Sequence, residues 1–178
     1  MQTETQTQNL VKLDNLLDID SLKKAEIEII LDHAVSMEEV LNRDIKKVPS
    51  LRGKTIVTLF YESSTRTRVS FEQAGKILSA DVININNKTS SNSKGESLYN
   101  TALTIQAIGA DVVIIRHPHS GASHFISKHI KTGVINAGDG THAHPTQALL
   151  DLYTIKKKLG SIEGKNIVLV GDILYSRV

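Results

Sequence analysis

Residues 62 to 68, Glu-Ser-Ser-Thr-Arg-Thr-Arg, carry the side chains of an anion-binding site. They lie between a predicted buried strand and a predicted helix, and ligands of open α/β sheets bind at such strand ends, where the helix start offers unpaired N–H groups. The hydroxyls of Ser64, Thr65 and Thr67 add donors, and the Arg66 guanidinium can form a forked pair with two phosphate oxygens. The alternative is that Ser64 or Thr65 only caps the helix and that both arginines are solvated. Residue types alone do not decide between an anion-binding site and a helix cap.

Two further polar clusters follow predicted strands. Arg116-His-Pro-His119 is the first, and its alternative is a surface arginine whose stem packs on the protein. The second runs from Asn136 to Gln147, where small residues allow close backbone approach and His144-Pro-Thr-Gln147 opens a helix. His144 and Gln147 are three residues apart and share one face of the first helical turn, although a capping histidine is the alternative. Histidines 142 and 144 lack a nearby carboxylate triad, so the sequence predicts no metal site.

The elements that position these clusters alternate between strand and helix. A first helix, capped by Asp20 or Ser21, is predicted to reach about Asn42 because its apolar residues recur at steps of three and four. Short apolar runs then predict strands, and amphipathic stretches predict helices. The strands are 54–60, 81–86, 111–116, 134–137 and 165–171, and the helices are 67–79, 97–108, 122–130 and 145–159. This order predicts an α/β fold, a doubly wound parallel sheet with flanking helices, whose strand ends bring the three clusters to one edge.

Composition excludes several classes of function. The 178 residues carry a net charge of only +2, with three Phe, four Tyr and no Trp, which argues against a nucleic-acid partner. The absence of cysteine excludes disulfides and thiolate chemistry. No apolar run approaches the roughly 20 residues that span a bilayer, and residues 1–9 form a polar tail without signal-peptide features, so we expect a cytoplasmic protein without a membrane partner. No P-loop and no strand followed by GxGxxG is present, and no cofactor is expected.

The run Phe60-Tyr-Glu-Ser-Ser-Thr-Arg-Thr67 matches the signature F-x-[EK]-x-S-[GT]-R-T at every fixed position. Arg116-His-Pro118 and His144-Pro-Thr-Gln147 match two further blocks in the same order. From about Leu10 to Val178 the chain thereby resembles the aspartate/ornithine carbamoyltransferase family. The resemblance implies a transferase that moves the carbamoyl group of carbamoyl phosphate to an amine, without a metal or a covalent intermediate.

The resemblance also assigns roles to individual residues. Ser64, Thr65, Arg66 and Thr67 would hold the phosphate. Thr67, Arg116 and His144 would polarise the carbamoyl oxygen, and Gln147 would bind the carbamoyl amine. Arg66, Thr67, Arg116 and His144 are thus the expected catalytic residues.

The acceptor and the assembly follow from other positions of the resemblance. Glu62 stands where family members that use aspartate have Glu and those that use ornithine typically have Lys, and Arg177 matches an arginine that binds a carboxylate of aspartate. Aspartate and the pyrimidine pathway are therefore expected, with ornithine as the alternative acceptor and a noncatalytic binding module as the alternative function. Ser90 and Lys94 match residues that enter the neighbouring subunit's site, which implies a homotrimer. The family also admits regulatory chains.

The expected organisation has four parts. Residues 1–9 are a disordered tail, 10–144 the carbamoyl-phosphate-binding domain, 145–160 a linking helix, and 161–178 the truncated beginning of an aspartate-binding domain. The strand 165–171 lacks a following helix, so the sequence is expected to be a fragment with doubtful activity of its own.

Overall fold

The computed structural model describes residues 13–86 and 96–178, which form a parallel five-stranded sheet with helices on both faces. The strands are β1 (Asn15–Leu16), β2 (Thr55–Phe60), β3 (Asp81–Asn86), β4 (Val112–His117) and β5 (Gly133–Asp139). The helices are α1 (Lys24–Leu41), α2 (Thr65–Ile77), α3 (Leu98–Ala107), α4 (Ala122–Ser127) and α5 (Pro145–Leu159). The predicted α/β class is confirmed.

The strand order β1-β5-β4-β2-β3 places a topological switch between β2 and β4. The chain leaves β2 for β3 on one side, and it then crosses to β4 on the other side of β2. Phe60, at the end of β2, lies in register with Arg116 near the end of β4. Ligands of doubly wound sheets bind where the crossovers diverge in this way, so the topology alone marks the ends of β2 and β4.

Alternation along the buried strands divides the core between the two faces. Val57 and Leu59 pack with the apolar side chains of α3 and α4, including Ile105 and Ile126. Ile56 and Phe60 point to the opposite face and belong to a second buried cluster. Because both faces are covered, β2 reads as a continuous apolar run, as expected for a parallel strand.

Strand β3 and helix α5 have the predicted bounds. Helix α5 begins with Pro145 at its first position and ends at Gly160, whose φ of 74° is the left-handed conformation that glycine favours. Helix α2 begins at Thr65, two residues before its predicted start.

The predicted cap of α1 is wrong. The Ser21 N–H donates to Asp18 Oδ1 at 2.8 Å, so residues 18–21 form a turn. Asp20 and Ser21 lie within this turn and do not cap the helix. Helix α1 begins at Lys24, and the Lys23 N–H donates to Glu26 Oε2 at 2.7 Å.

The predicted strand 165–171 is also wrong. Residues 165–170 join no ladder among the described residues, and Val168 and Val170 are 81% and 92% exposed. A strand requires a neighbouring strand to which it is hydrogen-bonded, and the apolar composition of a run does not guarantee one. The chain instead forms a short 3-10 turn at Ile173–Tyr175. Strand β1, which pairs with β5, was not predicted because two residues carry no periodicity.

Within residues 13–86 and 96–178, no helix combines the length and the apolar character that crossing a bilayer requires.

Candidate functional site

A cavity of about 630 Å³ lies between α2, the end of β4 and α5. Six of the residues that the sequence predicts for the site line it together: Ser64, Arg66, Thr67, Arg116, His144 and Gln147. Phe71, Ala74 and Leu150 supply apolar wall. Thr65 lines an adjoining depression of about 100 Å³ that it shares with Ser64, so it sits beside the main cavity.

The start of α2 presents donors to this cavity. Ser64 is the N-cap, but its side chain accepts no backbone N–H; its Oγ donates to Thr67 Oγ1 at 2.8 Å. The first N–H bonded within the helix is that of Arg68, which donates to the Ser64 carbonyl at 3.1 Å. Among the described residues, the N–H groups of residues 65–67 therefore have no partner. The capping alternative for Ser64 is wrong, and the first turn keeps its capacity for an anion.

Arg116 is a part-buried residue of the cavity wall. Its side chain is 15% exposed, its Nε donates to Glu62 Oε2 at 3.1 Å, and its Nη1 donates to the Ala137 carbonyl at 3.1 Å. Burial, and secondarily the charge of Arg177, lower the pKa of Arg116, while Glu62 opposes this shift. The surface alternative for Arg116 is thus wrong, because its guanidinium is fixed at both ends.

Glu62 joins a second arginine to the first. Arg177 Nη1 donates to the same Oε2 atom of Glu62 at 3.2 Å. Arg177 also lines a neighbouring cavity of about 240 Å³ together with His144. Residue 177 is distant in sequence from the three clusters, yet it lies beside them in the fold.

His144 is the N-cap residue of α5, and its side chain makes no capping hydrogen bond. Its Nδ1 lies 3.3 Å from Thr146 Oγ1. Burial lowers the pKa of His144 to about 4, with further lowering by the positive charges of Arg116 and Arg177. The imidazole is thus neutral near pH 7. In the tautomer in which the Thr146 hydroxyl donates to Nδ1, Nε2 carries the proton and is a hydrogen-bond donor.

Gln147 lines the same cavity from the first turn of α5. Its Nε2 donates to Asp151 Oδ1 at 3.0 Å. This bond orients the amide so that its oxygen remains the group able to accept from an N–H of a ligand.

Gly138 and Asn136 shape the site, although the sequence assigned neither of them an individual role. Gly138 has a φ of +112°, and a Cβ there would lie 3.0 Å from Arg116 Nη1 and 3.2 Å from His144 Cδ2. Asn136 is fully buried, and its Oδ1 accepts from the Gly138 N–H at 2.9 Å. Its Nδ2 donates to the Leu17 carbonyl at 2.8 Å. The sequence placed both residues in the third cluster and its small residues indicated a close backbone approach, but no role was predicted for Asn136.

The cavity combines helix N–H groups, hydroxyls and two guanidinium groups with a neutral imidazole and an amide. Such a set can hold a dianion at one end and donate hydrogen bonds to a carbonyl oxygen at the other. Ser90 and Lys94, predicted to act in a neighbouring site, lie outside the described residues.

Residues 14–157 match the family model described as aspartate/ornithine carbamoyltransferase, carbamoyl-P binding domain. The chain is 58% identical, over 92% of its length and 53% of the relative's, to the aspartate carbamoyltransferase catalytic subunit of Heliobacterium modesticaldum. It is 59% identical to that of Roseiflexus castenholzii, over 92% of this chain and 52% of the other. The chain thus spans about half the length of the curated relatives it matches.

Solved structures give the same result. The catalytic subunit of M. jannaschii aspartate transcarbamoylase superimposes with a TM-score of 0.85 at 46% identity, over 93% of this chain and 54% of that one. Aspartate transcarbamoylase from Trypanosoma cruzi, solved in complex with carbamoyl phosphate and aspartate, superimposes with a TM-score of 0.86 at 34% identity. That match covers 92% of this chain and 51% of the other.

Proposed function

Because the chain belongs to the aspartate/ornithine carbamoyltransferase family, we propose that its cavity binds carbamoyl phosphate and that the protein transfers the carbamoyl group to the amine of L-aspartate. The observation that carries the proposal is the convergence of six predicted residues from three separated clusters on one cavity at the topological switch.

The phosphate lies at the start of α2. The unpartnered N–H groups of residues 65–67 supply neutral donors at the positive end of the helix, and the Ser64 hydroxyl holds Thr67 in place through its hydrogen bond to Thr67 Oγ1. Arg66 is exposed and lines the same cavity, so its guanidinium can reach two phosphate oxygens. Thr65 contributes through its backbone N–H, since its side chain faces the adjoining depression.

The carbamoyl group lies between β4 and α5. Arg116, Thr67 and the neutral His144 donate hydrogen bonds to its oxygen, and the Gln147 amide oxygen accepts from its NH₂ group. Glu62 and the Ala137 carbonyl hold the Arg116 guanidinium before any ligand arrives. Donors fixed in this way stabilise developing charge by about 3 to 4 kcal/mol each in enzymes where this has been measured.

The reaction is an acyl transfer. The neutral α-amine of aspartate attacks the carbamoyl carbon, a C–N bond forms, and the carbonyl electron pair moves onto oxygen as a tetrahedral oxyanion. The oxyanion collapses, the C–O bond to phosphate breaks, and the leaving phosphate takes the proton released by the amine. The products are N-carbamoyl-L-aspartate and phosphate.

Aspartate is favoured over ornithine by Arg177 and Glu62. Arg177 places a third guanidinium beside the cavity, where it can receive a carboxylate of the acceptor. A lysine at position 62 would remove the carboxylate that holds both arginines. The activity belongs to pyrimidine biosynthesis in the cytoplasm.

The active unit is a homotrimer in which Ser90 and Lys94 enter the neighbouring subunit's site, alone or with regulatory chains. The motif match at these two positions supports this part of the proposal.

The test uses a chain of the relatives' length that contains this sequence, supplied with carbamoyl phosphate labelled in its carbonyl carbon. The label should appear in N-carbamoyl-L-aspartate with aspartate and stay in carbamoyl phosphate with ornithine. Arg52→Ala, at an exposed arginine outside the cavity, is the control and should keep the rate. Transfer to ornithine, or no transfer by a folded chain, would refute the proposal.

A further inference from the structure

Three side chains outside the main cavity bring potential metal ligands together. They are His124 of α4, Asp139 at the end of β5, and His142 in the loop that leads to α5. One ring nitrogen from each histidine and one carboxylate oxygen all lie within 4.8 Å of one another. Two imidazoles and a carboxylate form a common donor set for zinc in proteins.

The two ring nitrogens of His124 differ in their hydrogen bonding. Its Nε2 lies 2.9 Å from Asp18 Oδ2, where a protonated Nε2 donates to the carboxylate. Its Nδ1 is buried and has no hydrogen-bond partner among the described residues. A buried acceptor left unpaired costs about 1 to 3 kcal/mol. Histidines that bind metals typically donate their other N–H to a carboxylate, as His124 does to Asp18.

Asp139 is a fixed, buried carboxylate. Its Oδ1 accepts from Asn136 Nδ2 at 2.9 Å and from the Ala143 N–H at 3.1 Å. Its Oδ2 accepts from the Gly121 N–H at 2.7 Å. These donors fix the orientation of the group, and Oδ2 retains a second lone pair for a ligand.

His142 is the ligand with room to move. Its side chain is 43% exposed, and its Nδ1 lies 3.2 and 3.3 Å from the two oxygens of Asp139. Tetrahedral zinc with bonds of about 2.0 to 2.2 Å needs donors about 3.4 Å apart. The separation of His142 Nδ1 from Asp139 is already close to this value, and the exposed ring can rotate toward His124 while the buried carboxylate stays in place.

We propose that His124 Nδ1, Asp139 Oδ2 and a ring nitrogen of His142 bind a divalent transition-metal ion of the zinc class, with water as the fourth ligand. Imidazole donors favour such ions over Mg²⁺ and Ca²⁺, which prefer oxygen. The ion links α4, the end of β5 and the loop before α5, so its role is to stabilise the structure and not to take part in catalysis. The proposal does not rest on carbamoyl transfer.

Calorimetric titration of the metal-stripped chain with Zn²⁺ tests the proposal. We expect one ion per chain and a rise in the thermal midpoint, and no such rise with Mg²⁺. His142→Ala should lose at least tenfold in affinity, whereas His33→Ala, at an exposed histidine on α1, should not change it. Asp18→Asn, which weakens the partner of His124, should lose roughly 10- to 100-fold.

Cobalt gives a second readout that does not depend on stability. Co²⁺ added to the stripped chain should give the intense visible absorption of a tetrahedral site, and His142→Ala should abolish it while circular dichroism shows a retained fold. Equal zinc affinity in His142→Ala and the unsubstituted chain, or a weak octahedral cobalt spectrum, would overturn the proposal.

Discussion

Arg116 Nε donates to Glu62 Oε2 at 3.1 Å, and this bond ties the loop after β2 to the end of β4 across the topological switch. The same carboxylate oxygen accepts from Arg177 Nη1 at 3.2 Å. One carboxylate thus orients two guanidinium groups beside the cavity.

Substitution Glu62→Ala should destabilise the chain. Arg116 would keep only the Ala137 carbonyl, and two part-buried positive charges would lose their common partner. We expect a loss of about 1 to 3 kcal/mol in the free energy of unfolding, measured in urea. Lys54→Ala breaks the exposed pair of Lys54 with Asp111 and is the control; an equal loss there would show that Glu62 has no special role.

Substitution Gly138→Ala should reduce binding of a phosphonate analogue of carbamoyl phosphate. The new Cβ would push on Arg116 Nη1 at 3.0 Å and on His144 Cδ2 at 3.2 Å. Gly109→Ala is the matched control, because Gly109 also has a positive φ, +87°, but open space around its Cβ position. Both variants should lose stability from backbone strain, and only Gly138→Ala should lose affinity in calorimetry. Equal affinities would contradict the steric role of Gly138.

Val168→Ser should leave the stability of this chain nearly unchanged. Val168 is 81% exposed and packs in neither core cluster, and such surface changes stay within about 0.5 kcal/mol. Ile105→Ala, at a core side chain of α3 that is only 1% exposed, should cost about 2 to 5 kcal/mol. Thermal unfolding of both variants provides the comparison, and a large loss for Val168→Ser would place residues 165–170 in the core.

The shared site predicts complementation between two inactive variants. In chains of the relatives' length, Lys94→Ala and Arg66→Ala should each be nearly inactive. When the two variants are unfolded, mixed and refolded together, they should recover part of the activity. In such hybrids an Arg66→Ala subunit supplies Lys94 to the site of a Lys94→Ala neighbour, which has an intact Arg66. Each variant refolded alone is the control. Hybrids identified by native mass spectrometry but without a gain would place Lys94 outside the neighbouring site.

The sequence predicted most of the fold because local signals and global topology agree. The apolar run of β2 identifies a strand from local sequence alone. Pro145 and Gly160 mark the two ends of α5 in the same way. Residues 165–170 have the same apolar character, but pairing is not a local property, and the run forms no strand.

The site was predictable where a residue's type carries the chemistry. Ser64, Arg66, Arg116 and His144 stand in the recognisable clusters, and they meet as parallel strand ends require. The role of Asn136 and the proximity of His124 to Asp139 depend on which side chains the fold buries together. The spacing of residues in the sequence does not indicate this. For the same reason the spacing of His142 and His144 predicted no metal site, because the cluster that the fold forms joins His142 and Asp139 to His124 of α4 and does not include His144.

Calorimetric titration of this chain with a phosphonate analogue of carbamoyl phosphate tests the central claim most directly. We predict one binding site per chain, a loss of roughly 10- to 100-fold in affinity for Arg66→Ala, and unchanged affinity for Arg52→Ala, since hydrogen bonds to charged groups contribute about 1.5 to 3 kcal/mol. No binding by the folded chain, or equal affinity in Arg66→Ala, would contradict the assignment of the cavity as a carbamoyl-phosphate site.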